Sequence, residues 1–87
     1  MPSSKVTIYS SDFCPYCSRA KALLQARGVT DYEEIVVDGK PDVRARMTQI
    51  TGRTSVPQIF IGEAHIGGCD DLHALDGRGG LVPLLQA

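Results

Sequence analysis

The Cys-Pro-Tyr-Cys motif at 14–17 constrains this fold most, because the residues before it favour a β-strand and the residues after it favour an α-helix. The β-branched and aromatic run 6–9 precedes it and is typical of a buried strand. Residues 15–27 carry apolar side chains at helical spacing and are followed by Gly28, which favours a helix that ends there. Proline is favoured at the first helical position, so Cys14 is predicted to be the N-cap and Cys17 the third helical residue. The sequence therefore places two thiols where a strand meets a helix.

This placement makes the two thiols chemically different. The free amides of the first helical turn and the positive end of the helix dipole favour negative charge on the Cys14 sulfur. We expect Cys14 to react as a thiolate at neutral pH. Cys17 lies on the same side of the first turn, within reach of a disulfide that Cys14 has formed. We therefore predict that Cys14 is the attacking thiol and Cys17 the resolving thiol.

Composition restricts the class of protein. The chain has 87 residues, 43% of them hydrophobic, without a low-complexity tract, so we expect a single domain over 1–87. A net charge of −1 argues against nucleic acid or an anionic membrane as the main partner. No apolar run approaches the roughly 20 residues that span a bilayer, and the amino terminus lacks an apolar signal core. With three cysteines, an odd number for a structural disulfide framework, we expect a reducing, cytoplasmic location.

The order of predicted elements indicates an α/β fold. After the first strand and helix, the pattern predicts a strand, a helix ending at Gly52, a hairpin with Gly62 at its turn, and two further helices. Asp70 and Asp71 place negative charge in the first turn of the third helix. The predicted strands are 5–10, 32–37, 58–61 and 64–66, and the last helix is 81–86. Together they predict a four-stranded mixed sheet with the first strand central and helices on both faces.

Three ordered motifs identify a resemblance to a known family. They are Cys-Pro-Tyr-Cys after the first strand, Thr-Ser-Val-Pro at 54–57, and Gly-Gly-Cys-Asp-Asp-Leu at 67–72. Together they resemble the glutaredoxin family over nearly the whole chain. Residues 56–61 and 74–81 are similar to those of the short bacterial dithiol glutaredoxins of the glutaredoxin 3 type.

This resemblance implies a thioredoxin-like fold with strand order 2-1-3-4, a cis Val56–Pro57 bond, and a groove for glutathione as co-substrate without a tightly bound cofactor or metal. In that groove Val56 pairs through its backbone, and Arg53 serves the glycyl carboxylate. The amides at the start of the third helix meet the γ-glutamyl carboxylate, and an aspartate of that turn meets its ammonium group. The implied glutathione-binding residues are Tyr16, Arg53, Thr54, Val56, Pro57, Cys69, Asp70 and Asp71. The implied activity is glutathione-dependent reduction of glutathione mixed disulfides and protein disulfides, with ribonucleotide reductase among the family's electron acceptors.

One position departs from the family pattern. Many glutaredoxins carry a lysine three residues before the first active cysteine, where this chain has Ser11. Without that positive charge we expect weaker glutathione affinity and less stabilisation of the Cys14 thiolate than in relatives with the lysine.

Other functions remain open on the sequence. The two active cysteines could bind zinc with Cys69, His65 or His73, although the proline favours a helix cap. A redoxin recharged by thioredoxin reductase, or a carrier holding an iron–sulfur cluster between two chains, would use the same fold. We expect a monomer, a structural role for Cys69, and surface roles for both histidines.

Overall fold

A computed structural model describes residues 5–86. The elements are β1 (Val6–Ser10), α1 (Pro15–Ala26), β2 (Glu33–Val36), α2 (Pro41–Thr51), β3 (Gln58–Ile61), β4 (Ala64–Gly67), α3 (Cys69–Gly77) and α4 (Leu81–Leu85). The strands form one sheet in the order β2-β1-β3-β4. Strand β1 runs parallel to β2 and antiparallel to β3, and β4 is antiparallel to β3. The predicted α/β architecture, strand order and central first strand are confirmed.

The core lies mainly on one face of this sheet. In β1 the residues Val6, Ile8 and Ser10 are buried, whereas the two residues between them are half-buried and point to the other face. The main apolar cluster joins strands β1 and β3 to α1, α3 and α4, and comprises Val6, Ile8, Ala20, Leu24, Ile59, Ile61, Cys69, Leu72, Leu81 and Leu85. Met47 of α2 is fully buried but lies outside this cluster. The helices therefore cover both faces of the sheet, as predicted.

The turns follow the glycines that the sequence indicated. Gly52 ends α2 with a φ of 74°, and its N–H donates to the carbonyl of Thr48. Gly62 has a φ of 61°, and among the described residues no other residue type has a positive φ. This agrees with a hairpin turn in which only the first central residue is left-handed.

The predicted elements differ from the observed ones only at their ends. Strand β2 covers Glu33–Val36 rather than 32–37, although the Val37 N–H still donates to the Ser10 carbonyl at 2.9 Å. Helix α1 ends at Ala26, and Arg27 forms its C-cap. Over the described residues, no helix combines the length and apolarity required to cross a membrane.

Candidate active site

Cys14 lies where the central strand passes into α1. Its backbone is extended, with φ −128° and ψ 102°, and Pro15 begins the helix. The N–H of Cys17 donates a hydrogen bond to the Cys14 sulfur at 3.1 Å. The prediction that Cys14 is the N-cap of α1 is confirmed. A negative charge on this sulfur is stabilised by an amide donor and by the positive end of the helix.

Cys17 has a different environment. Its side chain is 1% exposed and packs inside the protein, whereas Cys14 is half-buried. Burial, reinforced by the hydrogen bond with Cys14, raises the pKa of the Cys17 thiol to about 12. Cys17 is therefore a neutral, shielded thiol in the reduced protein. The Cys14 sulfur is therefore accessible to a substrate, whereas the Cys17 sulfur is buried.

The loop between β1 and α1 is anchored from a neighbouring strand. The Ser11 hydroxyl donates to the Asp38 carboxylate, with distances of 2.7 and 2.9 Å to its two oxygens. The Asp12 N–H donates to the same carboxylate at 2.8 Å. Both bonds lower the pKa of Asp38, and the bond from the Asp12 N–H is the larger cause. Asp38 follows β2, the parallel neighbour of β1, so the sheet brings both strand ends together. Sequence reasoning missed Asp38, although its place after a predicted parallel strand was a usable signal.

The residues before β3 approach the cysteines from the other side. The Val56–Pro57 peptide bond is cis, as the resemblance implied. The Val56 carbonyl oxygen lies 3.8 Å from the Cys14 sulfur. Val56 is half-buried and Pro57 is buried. A short stretch of irregular backbone therefore lies beside the accessible sulfur.

A groove of about 240 Å³ extends from this stretch to the start of α3. Its lining residues are Tyr16, Arg53, Ser55, Val56, Pro57, Gly68, Cys69, Asp70 and Asp71. Seven of the eight implied glutathione-binding residues are thus brought together. Thr54 is not among the lining residues, and its carbonyl accepts a hydrogen bond from Arg44 at 2.9 Å. Ser55 and Gly68 line the groove in addition, and both belong to motifs that the sequence analysis had identified.

The Asp71 carboxylate organises the far end of the groove. One of its oxygens accepts the Gly68 N–H at 2.9 Å and the Arg53 guanidinium at 2.8 Å. Both contacts lower the pKa of Asp71, and the hydrogen bond from the Gly68 N–H is the larger cause. Asp70, by contrast, is exposed. The end of the groove therefore combines a paired Arg53–Asp71, a second carboxylate and the first turn of α3.

Cys69 begins α3 and is 5% exposed. Burial raises the pKa of its thiol, and its sulfur lies 3.4 Å from Nδ1 of His73. Within residues 5–86, no three histidine, cysteine, aspartate or glutamate side chains converge as metal ligands would. A larger cavity, of about 810 Å³, lies near the C-terminal end of α1 and contains no cysteine in its lining. The smaller groove is the one next to the reactive thiol, because its lining residue Val56 places a carbonyl oxygen 3.8 Å from the Cys14 sulfur.

Comparison with known proteins agrees with this geometry. The glutaredoxin family model matches residues 6–66. A glutaredoxin from Pseudomonas aeruginosa is 58% identical over 82 residues, which cover 94% of this chain and 96% of that protein. Glutaredoxin 3 of Escherichia coli strain K12 is 57% identical over 83 residues, covering 95% and 99%.

Solved structures show the same similarity. The solution structure of glutaredoxin from Brucella melitensis has a TM-score of 0.86 and 48% identity, and the match covers 99% of this chain and 92% of that one. The crystal structure of a buckwheat glutaredoxin–glutathione complex has a TM-score of 0.85 and 39% identity, with coverage of 94% and 76%. These proteins share the thioredoxin-like fold described above. From its cysteine motif, its sheet and these relatives, the chain belongs to the glutaredoxin family, whose members are thiol oxidoreductases.

Proposed function

We propose that this protein is a glutathione-dependent thiol–disulfide oxidoreductase with Cys14 as nucleophile. The observation that carries the proposal is the 3.1 Å hydrogen bond from the Cys17 amide to the Cys14 sulfur, with the Cys17 thiol buried behind it. One sulfur is both accessible and stabilised as an anion, which is the requirement for attack on a disulfide.

In the first proposed reaction the substrate is a mixed disulfide with glutathione. The Cys14 thiolate attacks the glutathione sulfur, the mixed disulfide breaks, and the substrate sulfur leaves as a thiolate and takes up a proton. A second glutathione thiolate then attacks the bond between Cys14 and glutathione. Oxidised glutathione leaves, and Cys14 returns as a thiolate.

In the second proposed reaction the substrate is a protein disulfide. Attack by Cys14 forms a mixed disulfide with the protein and releases its other sulfur. Cys17 then loses its proton and attacks the Cys14 sulfur, which releases the fully reduced substrate and leaves a Cys14–Cys17 disulfide. Burial, the largest cause of the raised pKa of the Cys17 thiol in the reduced protein, also acts in this step, so Cys17 gives up a proton as it attacks and the departing substrate sulfur takes one up. Two glutathione molecules reduce the resulting disulfide.

The groove supports glutathione as the reductant. Glutathione carries two carboxylates and one ammonium group, and the groove has a guanidinium, two carboxylates and a helix N-terminus along its length. A similar protein, from buckwheat, has been crystallised with glutathione. We propose that Val56 pairs with the cysteinyl portion and that Arg53 meets the glycyl carboxylate. The amides of Cys69 and Asp70 would meet the γ-glutamyl carboxylate.

The remaining implied residues have simpler proposed roles. Tyr16 flanks the groove, and its ring lies 5.9 Å from the guanidinium carbon of Arg19. Pro57 and Thr54 hold the backbone on both sides of Val56. We also propose a monomer that acts on glutathionylated or disulfide-containing proteins in the cytoplasm, where glutathione is kept reduced.

Substitution of each active cysteine tests the proposal. Cys17→Ser should retain reduction of the glutathione–cysteine mixed disulfide and lose reduction of protein disulfides, whereas Cys14→Ser should lose both. Rates would be followed by coupled oxidation of NADPH through glutathione reductase, and thermal unfolding would verify that both variants fold. Loss of both activities in folded Cys17→Ser, or survival of either in Cys14→Ser, would contradict the assigned roles. Mass spectrometry after oxidised glutathione should place the adduct on Cys14.

A further inference from the structure

The ring of Phe13 is almost completely exposed beside the reactive sulfur. Its side chain is 96% exposed, more than any other large apolar side chain within residues 5–86. Four such residues are exposed within 5–86, and two of them, Phe13 and Tyr16, lie within two positions of Cys14. An aromatic ring in water contributes almost nothing to the stability of the fold, since its apolar surface stays hydrated. The ring is therefore available to a molecule that approaches the neighbouring Cys14 sulfur.

The backbone that carries Phe13 is fixed on both sides. On one side the Asp12 N–H is bonded to Asp38 at 2.8 Å. On the other side the Cys14 sulfur accepts the Cys17 N–H at 3.1 Å, and the Cys14 carbonyl accepts the Ser18 N–H at 3.1 Å. The ring is thus projected from a held loop, which lowers the entropic cost of binding a partner.

Phe13 lies outside the groove proposed for glutathione. That groove is lined on its aromatic side by Tyr16, and Phe13 is not among the lining residues. Cys14 is not a lining residue either, but its sulfur lies 3.8 Å from the carbonyl oxygen of Val56, which lines the groove. We therefore expect glutathione to approach Cys14 from the side of Val56. A protein disulfide is larger, and its chain continues on both sides of the attacked sulfur. Neighbouring Cα atoms are about 3.8 Å apart, so residues beside a bound substrate cysteine come close to a side chain adjacent to Cys14.

We propose that Phe13 is a specificity residue for protein disulfide substrates that carry an apolar side chain next to the attacked cysteine. This inference rests on the proposed function, because it assumes that Cys14 attacks the substrate sulfur. The ring of Phe13 and the apolar side chain of the substrate are buried against each other as the mixed disulfide forms. The same contact stabilises the transition state of that step and so raises its rate. Loss of a comparable buried aromatic contact corresponds to a change of about tenfold or more in rate or affinity.

The test uses three disulfide substrates with reduced protein. Two are synthetic peptides that contain one intramolecular disulfide and differ only in having leucine or serine beside the attacked cysteine. The third is the mixed disulfide of glutathione and cysteine. Stopped-flow mixing would give the second-order rate constant for oxidation of the reduced protein by each substrate. For the wild type we expect the leucine peptide to react about tenfold faster than the serine peptide.

Phe13→Ala should remove that preference by slowing the leucine peptide about tenfold, with little change for the serine peptide and the glutathione disulfide. Phe13→Leu should keep most of the preference. Val82→Ala is the control, because Val82 is 40% exposed on α4 and lines the larger cavity, which contains no cysteine, so its substitution should alter none of the rates.

Three outcomes would overturn the inference. The first is an equal slowing of all substrates by Phe13→Ala, which would mean that the ring supports the cysteine loop. The second is no slowing of the leucine peptide. The third is a concentration-dependent dimer in sedimentation that Phe13→Ala abolishes, which would assign the ring to a second copy of the chain. Failure of the proposed function would be seen separately, as a wild type that does not react with the glutathione disulfide.

Discussion

Substitution of Gly67 by alanine would test how the end of β4 supports the groove. Gly67 has a φ of 117°, and a Cβ atom there would lie 2.3 Å from Oδ2 of Asp71 and 2.7 Å from its Cγ. That oxygen is the one that accepts the Gly68 N–H and the Arg53 guanidinium. Alanine must therefore adopt an unfavourable backbone conformation and also displace the carboxylate at the start of α3.

The expected cost can be worked out from these two effects. The positive φ costs an alanine about 1–2 kcal/mol. Displacing Asp71 removes a helix-capping contact of about 1 kcal/mol and an exposed ion pair of up to about 1 kcal/mol. The total is about 2–4 kcal/mol, which for a chain of this size lowers the melting temperature by roughly 10–30 °C. Gly28→Ala is the control, since Gly28 has a φ of 89° and nothing lies within 4 Å of its Cβ position. It should cost only the backbone strain, about 1–2 kcal/mol.

A double-mutant cycle separates the two effects. In the Asp71→Ala background the carboxylate is already absent, and only the Cβ atom of residue 71 remains, 3.0 Å from the new methyl group. Gly67→Ala should therefore cost less than in the natural background and somewhat more than Gly28→Ala. The free energy of unfolding would be measured by urea titration of the reduced protein for all the variants. Equal costs of Gly67→Ala with and without Asp71 would refute the reasoning, as would equal costs of Gly67→Ala and Gly28→Ala in the natural background.

Two further predictions follow from the thiol site and its loop. The pKa of Cys17 is about 12 in the folded protein and 9.0 ordinarily, so the stability it contributes is complete below pH 9 and is lost as the pH rises toward 12. Urea titrations at increasing pH should show a steeper loss for the reduced wild type than for Cys17→Ser, and parallel curves would contradict this. Ser11→Lys alone should raise the glutathione-linked rate little, because the Asp38 carboxylate, which now accepts the Ser11 hydroxyl, would pair with the new ammonium group. Ser11→Lys combined with Asp38→Asn should raise the rate further, by up to about fivefold. Equal rates for the single and double variants, measured in the glutathione reductase assay, would count against this role for Asp38.

The local features of the site could be predicted from the sequence because they depend on residues close together in the chain. The N-cap at Cys14 and the helix end at Gly52 each follow from one residue type in a fixed place. The β-branched and aromatic run of the first strand, the order of the elements and the turn at Gly62 indicated a four-stranded mixed sheet with the first strand central, whereas the strand order 2-1-3-4 was implied by the resemblance. The strand ends were less well predicted, because the last residue pairs of a ladder add little stability and the ends of strands and helices fray.

Contacts between distant elements could not be predicted in the same way. Ser11 and Asp38 are 27 residues apart, and Arg53 and Asp71 are 18 apart. Their pairing depends on the exact register of strands and loops, which local patterns do not define. Phe13 is a different case, since its exposure is set by the direction in which the loop leaves β1, and its apolar side chain alone would suggest burial.

The central position of β1 has a consequence for the persistence of the site. Hydrogen bonds on both sides tie this strand to β2 and β3, whereas β2 and β4 are each paired on one side only within the part of the chain that the structure describes. An edge strand can fray while the rest of the molecule stays intact, but β1 can open only when two ladders break together. Amide hydrogens in the middle of the sheet should therefore exchange with solvent as slowly as global unfolding allows. The nucleophile Cys14 follows the central strand, which opens least often. Local opening of the edge strands β2 and β4 therefore leaves the position of Cys14 unchanged.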